Sequence, residues 1–160
     1  MHKIYVPESE ITYGQKYLLG LMDKKQLAAW CRDNLTAKYA FSYLFHIGTG
    51  MVKMPPADLI YKLRHLIYPA DWFYTVSEPR PAVRPLEKRT EDFEVEKSKN
   101  FIKLRKMYDE KKLYSWCFEN HLNYVPFSHV FNKHYALSVN KMRKLREFFP
   151  PEDWFIYENE

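Results

Sequence analysis

The sequence predicts an all-α fold built from two copies of one four-helix unit, and three observations carry that expectation. The first is an internal repeat. Leu27, Trp30, Cys31, Asn34, Phe41, Ser42 and Phe45 return 86 residues later as Leu113, Trp116, Cys117, Asn120, Phe127, Ser128 and Phe131. Lys62, Leu63, Arg64, Pro69, Asp71, Trp72 and Phe73 return 82 residues later as Lys144, Leu145, Arg146, Pro151, Asp153, Trp154 and Phe155. The first copy therefore carries four extra residues, placed near Gly48-Thr49-Gly50-Met51. The second observation is apolar periodicity at helical spacing within each copy. The third is punctuation by proline and glycine between those periodic runs.

Taken in order, residues 1–9 read as a short mixed arm in which Pro7 blocks an early helix. Ser9 and Glu10 supply a helix start, with Tyr13, Tyr17, Leu18, Leu21 and Met22 at helical spacing behind them. A second helix is expected over Lys25–Asp33, turning Leu27, Ala28, Trp30 and Cys31 inward. After a break at Asn34-Leu35, Thr36 can cap a third helix reaching His46, with Tyr39, Phe41, Leu44 and Phe45 buried and Gly48 or Gly50 ending it. Pro55-Pro56 introduce a fourth helix over Ala57–Ile67, whose wet side is Lys62, Arg64 and His65. Asp71-Trp72-Phe73 then plug the core. Residues 75–96 change character, with Arg80-Pro81-Ala82-Val83-Arg84-Pro85 reading as an extended linker. The second copy repeats the order with helices over Glu96–Asp109, Lys111–Asn120, Tyr124–Lys133 and Val139–Phe149, where Asn123 can cap the third. The expected units are 1–74 and 97–160.

The bulk numbers bound the function. Units of this size sit near the lower limit for a self-sufficient core, and 13 Tyr, 11 Phe and 4 Trp compensate with large buried area per residue. A net charge of +5 and a pI near 9.0 favour polyanionic partners. The two cysteines, each beside a tryptophan, read as buried thiols in a reducing compartment. No run of 18 apolar residues occurs and Met1–Val6 lacks an apolar signal core, so a cytoplasmic protein without membrane association is expected. No phosphate-cradling glycine loop, nucleophile elbow or His-Glu-x-x-His appears, which argues against catalysis. Cys117, His121, His129 and His134 match zinc ligands by type alone, and the first copy does not repeat the histidines. No cofactor and no metal are expected.

Four short helices with the second and third joined by a turn is the order of a helix-turn-helix unit. On Leu27-Ala28-Ala29-Trp30-Cys31, Thr36 to Phe45, Gly48 or Gly50, Pro55-Pro56 and Leu59 to Arg64, the chain resembles the lambda-repressor-like (Xre-type) DNA-binding domains. The matching segments of the second copy are Leu113–Cys117, Asn123–Lys133 and Lys141–Arg146. The resemblance implies tandem helix-turn-helix repeats, double-stranded DNA as partner, and transcriptional regulation. It makes the third helix of each copy the recognition helix. The outward residues there are Thr36, Lys38, Ser42, Tyr43 and His46 in the first copy, with Lys53 beside them. In the second they are Asn123, Tyr124, Ser128, His129, Asn132 and Lys133. None is acidic; amides pair with adenine, and hydroxyls and lysines reach phosphates. Lys62, Arg64, Lys141, Arg143 and Lys144 are further phosphate candidates. Two unlike faces on one chain fit a single-chain pseudo-dimer reading two unlike half-sites. The alternative is a helical protein–protein adaptor, with a protein partner or self-association in place of DNA; RNA binding stands third.

Overall fold

The computed structural model describes residues 2–35 and 39–160. Among them, eight α-helices and four 3-10 turns form and no strand does, so the fold is all-α. The chain divides into two compact units, Met1–Phe93 and Glu94–Glu160.

In the first unit a 3-10 turn, Glu8–Glu10, precedes α1 (Tyr13–Asp23). The start of α1 is fixed by a capping box. Thr12 Oγ1 accepts from the Gln15 backbone N–H at 3.1 Å, and Gln15 Oε1 accepts from the Thr12 N–H at 2.9 Å. Helices α2 (Leu27–Asn34), α3 (Phe41–Thr49) and α4 (Ala57–Lys62) follow, then a 3-10 turn over Pro69–Trp72. The core is built from Leu18, Leu44, Ile47, Leu59, Ile60 and Leu63, all fully buried. Helix α3 packs chiefly on α1. A Cβ at Gly48 would lie 3.1 Å from Met22 Sδ and 3.2 Å from Leu18 Cβ, so the missing side chain lets the two helices approach. The buried Gln15 side chain seals the contact, donating from Nε2 to the Ile47 carbonyl at 3.1 Å. Gly50 then ends α3 in the left-handed region at φ 83°, which a residue with a Cβ adopts only under strain.

The plug lies against the first turn of α1. Trp72 is buried, and a Cβ at Gly14 would fall 2.4–2.8 Å from three atoms of its indole ring. Gly14→Ala is therefore expected to destabilise the unit by about 1–3 kcal/mol through overpacking, read as a lower urea midpoint at unchanged slope. An isolated antiparallel bridge between Thr12 and Thr75 ties the chain leaving the plug to the start of α1.

The second unit has the same order of elements: α5 (Lys99–Asp109), α6 (Leu113–Glu119), α7 (Val125–Asn132), α8 (Val139–Lys144) and a 3-10 turn over Pro151–Trp154. Ser98 caps α5, accepting from the Phe101 N–H at 3.2 Å, and pairs with Tyr157 in the corresponding bridge. Lys25 and Lys111 both hold a positive φ, 57° and 58°, in the turns after α1 and α5. Asn34 and Asn120 each donate from Nδ2 to the carbonyl of the tryptophan four residues earlier. The two cysteines are buried free thiols, and burial pushes both up.

Several details differ from expectation. Helix α3 begins at Phe41 after Ala40, and Thr36, the expected cap, lies outside the described residues together with Lys38. Its buried side is consequently Leu44, Ile47, Gly48 and Thr49, and Phe41, expected inside, is 46% exposed. Helices α4 and α8 stop at Lys62 and Lys144, where each unit tightens into turns before its plug. Arg64, expected on the wet side, is only 2% exposed. The reason is the proline-rich stretch expected as a linker, which through Phe93 belongs to the first unit. Its Glu87 carbonyl accepts from Arg64 Nε at 3.1 Å, Glu91 accepts from Tyr61 Oη at 2.8 Å, and the Phe93 ring lies 5.1 Å from that of Tyr61. Arg80 in the same stretch grips Asp71 through Nε and Nη2 at 3.1 and 2.7 Å.

Candidate nucleic-acid interface

Helix α7 carries the expected contact residues of the second unit. Phe127 and Val130 face inward and anchor it. Asn123, expected to cap the helix, lies one residue before the actual N-cap Tyr124, its Oδ1 accepting from the Val125 N–H at 3.1 Å. That bond closes a turn ahead of Pro126, which is tolerated at the start because no intrahelical partner is needed there. Tyr124 sets its ring edge-on against Tyr114 at 5.3 Å. His129 is half-buried, with its ring edge-on to Tyr135 at 5.6 Å. Asn132 is engaged at both ends of its amide: Nδ2 donates to Ser128 Oγ at 2.9 Å, and Oδ1 accepts from Tyr108 Oη. These bonds orient Ser128 and Asn132 and occupy them, leaving His129 and the exposed Lys133 just past the helix end as the less committed polar groups.

Cations from two neighbouring helices flank α7. Lys141 Nζ of α8 stands 5.6 Å from the centre of the Phe127 ring, and the Arg105 guanidinium of α5, whose Nε lies 3.9 Å from Asp109 Oδ2, stands 5.8 Å from that of Phe131. Arg143 and Lys144 are exposed on α8. Between Glu119 and Glu147 the chain contains no acidic residue, although it carries five Lys or Arg and three His there. That acid-free stretch spans α7 and α8 entire.

The first unit is different in character. Ser42 is exposed on the first turn of α3, and Lys53 is exposed beyond its end. Tyr43 stacks on Tyr39 at 5.7 Å, and Tyr39 Oη donates to Asp58 Oδ2 at 2.6 Å. Burial, and then that hydrogen bond, push the Tyr39 phenol up. His46 is half-buried, its carbonyl accepting from the Val52 N–H at 3.1 Å and from Thr49 Oγ1 at 3.2 Å. The outward side of α3 is thus largely aromatic, with a carboxylate beside its start. The structure brings together Asn123 to Lys133 with Lys141 of α8, and separately Ser42, Tyr43 and His46. Arg105 and Tyr135 were not singled out by sequence reasoning. Tyr135 follows the end of α7, and Arg105 reaches Phe131 from another helix, so no local spacing marks them.

Among the described residues no helix is long and apolar enough to cross a membrane, and no group of three His, Cys, Asp or Glu could hold a metal ion. Compared with protein-family models, with curated proteins and with solved structures, the chain gives no match.

Proposed function

We propose that this protein binds double-stranded DNA in a sequence-specific manner and acts as a transcriptional regulator, with the α7–α8 surface as its principal contact. The observation that carries this reading is the acid-free run from Asn120 to Arg146, folded so that Lys141 of α8 borders α7 while Arg143 and Lys144 stand exposed on α8. Phosphates are attracted to such a border, while a helix presenting imidazole and ammonium groups can reach acceptors on base edges. The first unit reads a second, unlike half-site through the exposed first turn of α3, as a single-chain pseudo-dimer.

Selection from a random duplex pool tests specificity. Two unlike half-sites are expected among the recovered sequences, and His129→Ala is expected to relax one position of one half-site by about 5- to 150-fold, the equivalent of 1–3 kcal/mol. Recovery of unenriched sequences would refute the specific reading.

A second reading, a protein–protein adaptor, is favoured by one observation. Tyr114 and Phe118 on α6 are 63% and 75% exposed, where the corresponding residues of the first unit are Ala28 and Arg32. The first unit forms the same helix without aromatic rings at these positions. Phe118→Arg is accordingly expected to leave thermal stability within about 0.5 kcal/mol of wild type, measured by thermal unfolding.

A further inference from the structure

The exposed side of α1 in the first unit borders a groove of about 740 Å³, whose opposite wall is formed by Leu66 and Ile67. Two features of this groove are unexplained by the fold. The first is Gly20. It sits inside α1, where glycine costs about 0.5–1 kcal/mol relative to alanine. Unlike Gly14 and Gly48, it has no heavy atom within 4 Å of where a Cβ would stand, and its φ is not positive. Neither close packing nor backbone conformation calls for glycine. The corresponding residue of α5 is the exposed Lys106, so the helix accommodates a long side chain at this position. A glycine with open space above it fits a surface that another backbone approaches closely.

The second feature is charge. Lys16, Lys24 and Arg80 border the groove, and its one carboxylate, Asp71, is 3% exposed and held by Arg80 through both oxygens. The border therefore presents positive charge over a floor of Leu21, Leu66 and Ile67. The second unit does not repeat this arrangement: Ile102 stands for Lys16 and Glu110 for Lys24.

We infer that this groove is a docking site for an acidic amphipathic peptide segment of a partner protein. Apolar side chains of the segment would rest on Leu21, Leu66 and Ile67, its backbone would pass over Gly20, and its carboxylates would meet Lys16 and Lys24, Arg80 being engaged by Asp71. Duplex DNA satisfies the cations but has no apolar side chains for the floor, which is why a peptide is the better occupant. This site shares no residue with the α7–α8 surface, and the inference stands whether or not that surface binds DNA.

The test is fluorescence anisotropy on the full chain. The probe is a short labelled peptide with leucines on one helical face and glutamates on the other. A scrambled peptide and a peptide with glutamine for glutamate serve as controls, and an unlabelled duplex as competitor. The amphipathic acidic peptide is expected to bind at least tenfold more tightly than either control. Gly20→Leu, which fills the groove at a solvent-facing position, is expected to lose that preference without lowering the thermal midpoint. Lys24→Glu should weaken the acidic peptide alone. Equal binding of the three peptides would overturn the inference, as would unchanged binding by Gly20→Leu. Displacement of the peptide by duplex, coupled with loss of duplex binding in Gly20→Leu, would assign the face to DNA and also overturn it.

Discussion

Trp72→Ala is expected to lower the stability of the first unit by about 3–5 kcal/mol, the range for emptying a buried tryptophan site. The size follows from where the ring sits. Trp72 is 1% exposed and lies on Gly14, so its removal opens the contact between the plug and the first turn of α1. The antiparallel bridge from Thr12 to Thr75 starts beside that contact, and the capping box of Thr12 and Gln15 is part of the same end of the helix. Total stabilities run near 0.05–0.15 kcal/mol per residue, so such a loss removes a large fraction of what a unit of this size has. Hydrogen exchange on the amides of α1 and α3 reads it directly, and a loss below about 1 kcal/mol would show that the plug does not hold the helices. Trp72→Phe is expected to cost less than alanine for a second reason. The indole Nε1 of Trp72 is buried without a hydrogen-bond partner, as is that of Trp154, so phenylalanine removes an unpaired donor along with part of the ring.

The second large effect concerns binding. Reversing Lys141, Arg143 and Lys144 together to glutamate is expected to weaken duplex binding by about a hundredfold or more at moderate salt, taking roughly 1 kcal/mol for each lost phosphate contact and tenfold per 1.4 kcal/mol. The salt dependence should flatten as well, by about 0.9 in slope for each phosphate no longer neutralised. The triple change should not unfold the unit. Arg143 and Lys144 are exposed, Lys141 is half-buried with its ammonium beside the Phe127 ring, and the core of α8 is Met142. Circular dichroism of the variant separates a binding loss from a folding loss. Unchanged affinity in a folded variant would remove α8 from the interface.

What could be read in the sequence, and what could not, divides along the range of the interactions involved. The helical order follows from local periodicity and punctuation. The burial of Trp72-Phe73 and Trp154-Phe155 follows from large apolar rings placed directly after a helix end. Arg64 reads as solvated from sequence because its burial is decided by Glu87, 23 residues away, whose carbonyl accepts from its guanidinium. Nothing in the composition of a proline-rich stretch announces that it lies along its own unit. Phe41 reads as a core residue for a neighbouring reason. The core side of α3 is set where Gly48 lets α1 approach, so the buried stripe falls toward the C-terminal half of the helix and leaves its first turn outside.

The candidate site was legible as residue types and not as states. Asn132 reads as an amide available to adenine until Tyr108 and Ser128 are seen to hold it, and Tyr43 reads as outward-facing until it is found stacked on Tyr39. The absence of acid between Glu119 and Glu147 is plain in the sequence. Its physical weight comes from the fold, which sets Lys141 and Arg105 against two rings of one helix, Phe127 and Phe131.

Equilibrium binding of the full chain to duplex DNA across a salt titration tests the proposed function most directly. A linear fall of log affinity with log salt is expected, with a slope corresponding to several neutralised phosphates, at about 0.9 per contact, and a shallower slope in the α8 triple variant. Absence of binding at low salt, or binding indifferent to salt, would contradict DNA recognition by this surface and leave the protein-adaptor reading in its place.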